Sequence, residues 1–311
     1  MNIRPLFAAT AAASLVLSLS ACGSDEDTSS GDDAADNAGE DAGDDSSDAA
    51  DDDGSSGDDG DSADVDTASL GLVTDGTLTV CSDVPYPPFE DFDDSAPSGF
   101  VGFDIDIVQY VADGLGLDLV VKDSSFDGLQ SGLSLNAGEC DMAASAMTIT
   151  EERAQNIAFS DGYYDSLQSL LVPDDSDIAS IEDLSGTRVA VQQGTTGEAY
   201  AQENTPDDTE LVSFPSNAEI YQALLAGQVD AALQDLPVNV DNAAKGDFTI
   251  VEEYDTEETY GLAIKKDNDA LVDAVNGQLT ELRDSGEYDE LYNQYFSEEG
   301  ATSDDAESTS R

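Results

Sequence analysis

An acidic segment near the N-terminus constrains the fold more than any other feature of this 311-residue chain. Between Asp25 and Asp66 the chain has 19 acidic residues and no Lys or Arg, and most of its other residues there are Ser, Gly and Ala. Such a composition offers no apolar surface to bury, and its like charges repel one another. We therefore predict that residues 22–70 form a disordered acidic tether and residues 298–311 a disordered acidic tail. A calcium-binding repeat is the alternative for the tether, although the Gly spacing and terminal Glu of an EF-hand loop are missing.

A secretory signal precedes the tether. Arg4 is followed by an apolar run from Leu6 to Leu19, which is shorter than the ~20 residues that a membrane-spanning helix needs. Residues 1–21 are therefore predicted to be a lipoprotein signal peptide. The tetrad that ends at Cys22 (Leu-Ser-Ala-Cys) resembles a bacterial lipobox, which predicts lipidation of Cys22 and anchoring on the outer face of the cell membrane. An ordinary signal peptide with an incidental cysteine is the alternative.

The remaining chain is also strongly acidic. Without the 19 tether acids, the 5 tail acids, Arg4 and Arg311, it has 46 acidic and 7 basic residues, a net charge of −39. Such a field repels phosphates, so nucleic acid is excluded as a partner, and anionic membranes are disfavoured. Because the Debye length falls to about 3 Å in ~1 M salt, this surface is best tolerated in concentrated salt. We predict a halophilic source.

The composition also limits the chemistry. The chain has no histidine, so a His-based metal site or a Ser-His or Cys-His nucleophile pair cannot form. We expect no metal and no cofactor.

From Leu78 onward, short β-type runs alternate with helical stretches, which predicts an α/β fold with a mainly parallel sheet. Two such sets follow one another and suggest two lobes. A final helical segment, Ala270 to Phe296, is interrupted at Ser285-Gly286 and is predicted to form two packing helices. The predicted elements are Leu78–Cys81, Phe103–Leu115, Leu119–Lys122, Leu129–Asn136 and Met142–Ala146 in the first set, and Arg188–Val191, Thr196–Gln202, Glu210–Phe214, Asn217–Ala226 and Ala231–Gln234 in the second.

A series of short motifs resembles the family 3 bacterial solute-binding proteins. Each motif alone is weak evidence for this family, but their order and spacing together are specific. Together they cover Leu78 to Phe296. The motifs are Tyr86-Pro87-Pro88-Phe89-Glu90, Gly102-Phe103-Asp104-Ile105-Asp106, Phe126-Asp127-Gly128-Leu129, Ser145 to Arg153, Phe159 to Tyr164, Gln193-Gly194-Thr195-Thr196 and Gly227-Gln228-Val229-Asp230-Ala231.

The resemblance implies a periplasmic-binding-protein-like fold (type II), in which two α/β lobes are joined by two hinge crossings. Such a protein closes over a polar or basic amino acid and delivers it to the permease of an ABC importer, usually as a monomer. By position, the first lobe comprises residues 71–168 plus 262–297 and the second lobe residues 169–261. The crossings are expected at Gln168–Val172 and Thr259–Ile264.

The same resemblance assigns groups to the ligand carboxylate. Arg153, one of five arginines, matches the family arginine that grips an α-carboxylate in bidentate fashion, and a helix-surface charge is the alternative. Thr148 is expected to help with its backbone N–H and its hydroxyl. Gly194, Thr195 and Thr196 resemble a turn whose N–H groups meet the carboxylate at a helix N-terminus.

Asp235 matches the aspartate that accepts the α-ammonium, although Pro237 makes a helix N-cap the alternative reading. Ser145 is expected to offer its carbonyl to the ammonium, and Ala146 stands where Gly or Ser is more usual.

Four further residues are expected to contact the ligand side chain. Tyr86 and Phe126 match aromatic plates, with plain core residues as the alternative. Asp83 and Gln192 occupy positions that vary with the ligand, and they favour a polar or basic amino acid.

Two cysteines remain after lipidation, and an oxidising compartment suggests that they are bridged. Cys81 ends the first strand and Cys140 begins the strand around Met142, which predicts a separation of roughly 13 Å along neighbouring parallel strands. A disulfide needs Cα atoms within about 7 Å. The sequence therefore favours two buried thiols.

An enzyme is the competing reading, because cyclohexadienyl dehydratases resemble this fold and also use the arginine fork. Asp235 argues against that reading, since a dehydratase gains nothing from a carboxylate beside an acidic substrate.

Overall fold

The computed structural model describes residues 67–297, which belong to one compact unit. The predicted signal peptide, the lipidation site Cys22, the tether up to residue 66 and the acidic tail lie outside the described residues. A 3₁₀ turn, Thr67–Ser69, precedes Leu70, which is buried against the core. Residues 67–70, which the sequence assigns to the tether, therefore belong to the folded part.

Strands and helices alternate through most of the described chain, as predicted. The strands are β1 Thr77–Ser82, β2 Asp91–Phe92, β3 Phe100–Val101, β4 Asp118–Asp123, β5 Met142–Ala143, β6 Ile157–Phe159, β7 Tyr164–Pro173, β8 Arg188–Gln192, β9 Glu210–Phe214, β10 Ala231–Asp235, β11 Phe248–Tyr260 and β12 Ala263–Lys265. The helices are α1 Phe103–Gly114, α2 Phe126–Gln130, α3 Leu133–Ala137, α4 Thr196–Asn204, α5 Asn217–Leu225, α6 Leu236–Lys245, α7 Asp269–Ser285 and α8 Glu287–Phe296.

Two five-stranded sheets form the centres of two lobes. The first lobe has the strand order β4-β1-β5-β12-β6, and the second has the order β11-β7-β10-β8-β9. In the first sheet, β1 pairs in parallel with β4 and β5, and in the second sheet β8 pairs in parallel with β10 and β9. The pairs that involve β12 or β7 are antiparallel. The prediction of a mainly parallel sheet therefore holds for the βαβ units and not for the strands that join the lobes.

Two adjacent segments connect the lobes. The chain leaves the first sheet after β6 and returns to it between β11 and β12, and the segments are joined where the Ser160 N–H donates to Leu262 O (2.9 Å) and the Tyr163 N–H donates to Tyr260 O (2.8 Å). Gly162 permits this approach, because a Cβ there would lie 2.2 Å from Thr259 Cγ2. The chain therefore crosses before β7, whereas the first crossing was expected at residues 168–172, which lie inside this strand of the second sheet. The lobe boundaries given from the sequence stay a prediction.

Helix α1 illustrates how the sequence pattern sets the packing. Its apolar residues recur at helical spacing and bury one face against the first sheet. Gly102 precedes it with a φ of 131°, and a Cβ there would lie 2.2 Å from the Phe89 carbonyl oxygen, so only glycine fits. Phe89 and Phe103 then pack with Phe296 of α8 into an aromatic cluster, which returns the C-terminal helices to the first lobe.

Two predicted elements are interrupted for local reasons. The stretch 129–136 splits into α2 and α3 at Gly132, which has a φ of 76°. The predicted strand 142–146 ends after Ala143, and Ala146 has a φ of 44°, which lies outside the β region.

The prediction of two free thiols is wrong. Cys81 and Cys140 form a disulfide, and their Cα atoms are 5.8 Å apart. The expected distance assumed that Cys140 extends β5, but β5 pairs with β1 only through Met142 and Ala143. Cys140 lies instead in the turn that arrives from α3, on the face of the sheet where Cys81 is buried with Leu135.

Candidate functional site

A cleft between the two lobes gathers most of the residues that the sequence singles out. The space between its walls is about 290 Å³ when the solvent at its mouth is included. Eleven of the twelve predicted residues line it, and Gly194 does not. The lining residues are Asp83, Tyr86, Phe126, Ser145, Ala146, Thr148, Arg153, Gln192, Thr195, Thr196 and Asp235.

Arg153 is a buried cation at one end of the cleft. It begins a 3₁₀ turn, is 5 % exposed, and donates hydrogen bonds to Thr148 O (2.8 Å) and Gly194 O (3.0 Å). Its guanidinium carbon also lies 5.2 Å from the centre of the Phe126 ring. Within the described part of the chain, no carboxylate forms a salt bridge with it. Burial lowers the pKa of Arg153, and the charges of Glu258 and Asp235 oppose that shift.

Asp235 lies at the end of β10, across the cleft from the first lobe. It occupies the N-cap position of α6, but its side chain makes no capping bond. Its carboxylate instead accepts from Tyr86 Oη (2.7 Å) and Gln168 Nε2 (2.5 Å). Burial raises the pKa of Asp235 to about 6, and the nearby Glu258 adds to this shift. The carboxylate is thus held by side chains of both lobes and does not serve as a cap.

The turn before α4 differs from its expected arrangement. The Gly194 N–H donates to Glu198 Oε2 (2.8 Å), and the Gly194 carbonyl accepts from Arg153, so neither group faces the cleft. Thr195 is the N-cap of α4, where its hydroxyl oxygen accepts from the Glu198 N–H (3.1 Å). Thr195 and Thr196 remain at the cleft wall.

Asp83 and Gln192 are a third pair of polar residues in the cleft. Gln192 Nε2 donates to Asp83 Oδ2 (2.5 Å), which joins the two lobes by a direct hydrogen bond. Burial raises the pKa of Asp83 to about 6, and the charge of Asp123 adds to this shift. Tyr86 and Phe126 are both buried, and Tyr86 stacks on Phe89 with ring centroids 6.4 Å apart.

Two buried acids behind the cleft floor were not assigned a role from the sequence. Ser145 Oγ donates to Glu90 Oε1 (2.7 Å), and the Ala146 N–H donates to Asp104 Oδ2 (2.8 Å). Burial raises the pKa of Asp104 to about 7 and that of Glu90 well above its ordinary value, and the charge of Asp104 adds to the shift of Glu90. Both acids are fully buried. The signal in the sequence that could have indicated this burial is that each acid stands inside an apolar motif.

A third unassigned acid, Glu258, lies near the C-terminal end of β11. It is 7 % exposed and accepts hydrogen bonds from the Thr148 and Thr196 hydroxyls, which belong to different lobes. The sequence around it is a run of acids and threonines without apolar periodicity, so pattern reasoning gave no reason to bury one of them.

A metal site and a membrane-spanning helix are both absent from residues 67–297. No group of three His, Cys, Asp or Glu side chains there is arranged to hold a metal ion. No helix in the same range is long and apolar enough to cross a membrane.

Comparisons with known proteins agree with this geometry. The family model for bacterial extracellular solute-binding proteins, family 3, matches residues 78–298. A probable histidine-binding protein of Neisseria gonorrhoeae is 33 % identical over 228 residues, which cover 71 % of this chain and 83 % of the relative. The lysine/arginine/ornithine-binding periplasmic protein of Escherichia coli K12 is 34 % identical over 232 residues, with 71 % and 87 % covered.

A solved structure of an ancestral arginine-binding protein bound to arginine superposes with a TM-score of 0.67 at 35 % identity. The match covers 71 % of this chain and 98 % of that one.

Proposed function

Because the chain belongs to the bacterial extracellular solute-binding proteins of family 3, we propose that it is the substrate-binding component of an ABC importer. It captures a polar or basic amino acid between its two lobes and delivers it to a membrane permease. The observation that carries this proposal is Arg153, a buried guanidinium without a salt-bridge partner among the described residues. A buried charge is costly unless it is paired, and a ligand carboxylate would pair it.

The two charged groups of an amino acid each find a partner in the cleft. Arg153 supplies N–H donors for the carboxylate, and the carboxylate of Asp235 accepts from the ammonium. Tyr86 and Phe126 offer apolar faces to the side chain, and Asp83 with Gln192 offers polar groups beyond them. An acidic group at that position supports a basic ligand, as do the names of the histidine-binding and lysine/arginine/ornithine-binding relatives.

The proposed role involves no chemical reaction. The named relatives are binding proteins, and this chain is a binding protein and not an enzyme. The dehydratase alternative is not favoured by the cleft, because the carboxylate of Asp235 would repel an acidic substrate. The protein is proposed to act as a monomer and without a cofactor.

The location is proposed from the N-terminal sequence and the family. Family 3 proteins are extracellular, which supports export by the predicted signal peptide of residues 1–21. The lipobox-like tetrad supports lipidation of Cys22 and anchoring on the outer face of the cell membrane. The acidic tether of residues 22–70 would then separate the lobes from the membrane.

A thermal-shift screen against the twenty amino acids tests the proposed function. A ligand present at about 100 times its dissociation constant should add about 2.7 kcal/mol of stability, which raises the Tm of a domain of this size by about 5–10 °C. L-arginine is the first candidate, and agmatine, which lacks the carboxylate that Arg153 would bind, is its control. The proposal fails if no amino acid raises the Tm.

A salt titration tests the proposed halophilic origin. Because the chain outside the two acidic ends carries a net charge of −39, molar KCl should raise the Tm markedly relative to dilute buffer. Equimolar sucrose controls for excluded-solute effects. Equal Tm values in dilute and molar salt would contradict the prediction.

A further inference from the structure

Glu258 stands behind the cleft wall and does not line it. Its Oε2 atom accepts from Thr148 Oγ1 (2.6 Å) and Thr196 Oγ1 (2.7 Å), while its Oε1 atom accepts from Gln168 Nε2 (3.1 Å) and Thr256 Oγ1 (2.8 Å). Both threonines on Oε2 do line the cleft. Glu258 therefore reaches the cleft only through other residues.

An irregularity in β11 sets this position. The pairing with β7 shifts between Tyr254, which lies opposite Gln168, and Glu258, which lies opposite Ser166. Four residues of β11 thus span two residues of β7, and Glu257 inside the bulge has a φ of 53°. In a regular ladder Glu258 would lie opposite Tyr164, two residues farther from Gln168. The bulge brings the carboxylate to the two threonines.

The hydrogen bonds to Glu258 determine whether the two threonine hydroxyls can donate to a ligand or only accept from it. A hydroxyl has one proton to donate, and a carboxylate only accepts. Because both hydroxyls are within 2.7 Å of the same carboxylate oxygen, both protons point away from the cleft. Each Oγ1 atom then presents only lone pairs to a ligand. Such an oxygen accepts from an ammonium and cannot donate to a carboxylate.

The cleft is thereby divided into a donor side and an acceptor side. Arg153 supplies donors, whereas Asp235 and the two threonine oxygens supply acceptors. Gln168 connects the acceptors, because its Nε2 atom donates both to Asp235 Oδ1 (2.5 Å) and to Glu258 Oε1. One buried network therefore orients every acceptor of this group.

We propose that Glu258 is a positioning residue for the ligand ammonium, which orients the hydroxyl oxygens of Thr148 and Thr196 as acceptors. The inference rests on the proposed function and replaces the expected role of the Thr148 hydroxyl as a carboxylate donor. The backbone N–H of Thr148 keeps the carboxylate role in this scheme.

Glu258→Gln tests the role, because glutamine preserves the shape but has one acceptor oxygen for four donors. Calorimetry with the full chain should compare L-arginine with 5-guanidinopentanoate, which lacks only the α-amino group, and L-glutamine with glutaramate. In the variant, the ratio of the affinity for each amino acid to the affinity for its des-amino analogue should fall about tenfold. The affinity for the analogue itself should stay within about twofold of wild type. Glu253→Gln, an exposed position on the same strand, is the control and should change neither value.

Two outcomes overturn the role of Glu258. Equal losses for amino acid and analogue would indicate a purely structural residue, and an unchanged preference would indicate no role. Thr148→Val should lose part of the preference that Glu258→Gln loses. Adding Thr148→Val to Glu258→Gln should lose little more, since the acid acts through the hydroxyls of Thr148 and Thr196. A wild-type protein that binds neither L-arginine nor L-glutamine would instead count against the proposed function.

Discussion

Arg153→Lys is expected to lower the affinity for an amino-acid ligand at least 100-fold. Lysine keeps the positive charge but lacks the planar fork that donates two parallel hydrogen bonds to a carboxylate. It also cannot span from Thr148 O to Gly194 O, which Arg153 joins across the two lobes. Loss of charge-assisted bonds worth about 3 kcal/mol corresponds to roughly 100-fold in affinity. Isothermal titration of the purified chain with L-arginine measures the effect.

Arg188→Lys is the matched control. Arg188 pairs with Asp230 in the second lobe, where both side chains are about 40 % exposed, and such pairs contribute little. Its replacement should leave the affinity within about twofold, because this site lies outside the cleft. If Arg153→Lys binds as tightly as Arg188→Lys, the carboxylate is not held by Arg153.

Acidification is expected to weaken ligand binding while it stabilises the ligand-free protein. Burial raises the pKa of both Asp83 and Asp235 to about 6, so both carboxylates become protonated as the pH falls below that value. A cationic ligand binds their ionised forms and lowers their pKa. From pH 7.5 to pH 5 the affinity for L-arginine should therefore fall by up to about tenfold for each group, or about 100-fold in all.

The stability of the ligand-free protein should rise on acidification because of the same raised pKa values. A carboxyl group whose pKa is higher in the folded than in the unfolded protein contributes stability that is fully present below the unfolded value of 3.8 and is lost as the pH rises through about 6. Going from pH 7.5 to pH 5 should thus add about 1.4 kcal/mol for each of the two groups. Asp104, with a pKa raised to about 7, adds a contribution with the same sign.

Calorimetric titrations and thermal melts at fixed ionic strength measure the two effects. The double variant Asp83→Asn, Asp235→Asn removes both carboxyl groups and should weaken the dependence of the Tm on pH over this range, leaving the contribution of Asp104. An affinity for L-arginine that stays constant from pH 7.5 to pH 5 would contradict the assignment of these carboxylates to the ligand.

Local patterns predicted the βαβ elements well because those elements have strong apolar periodicity. β9, Glu210–Phe214, has the predicted bounds, and α1 differs by a single residue. The long strands β7 and β11 were not predicted as strands, since β11 is rich in exposed acids and its pairing depends on the distant β7. The disulfide was missed for a similar reason, because the path of a turn decides whether Cys140 reaches Cys81.

The cleft residues could be predicted because they stand in motifs that resemble those of the family. What lies behind the cleft could not be predicted in the same way. Glu258 reaches its partners through a bulge that no local propensity encodes. Glu90 and Asp104 stand in recognised motifs, but only the folded structure shows which backbone and hydroxyl groups they hold.

The paired crossing segments have a mechanical consequence. Because Ser160 is bonded to Leu262 and Tyr163 to Tyr260, the two connections cannot slide or twist past one another without breaking backbone hydrogen bonds. Bending of both segments together leaves those bonds intact. The motion that remains available to the lobes at low energetic cost is therefore a hinge opening about a single axis. Each hydrogen bond across the cleft then resists that one motion, and a ligand that strengthens them biases it toward closure.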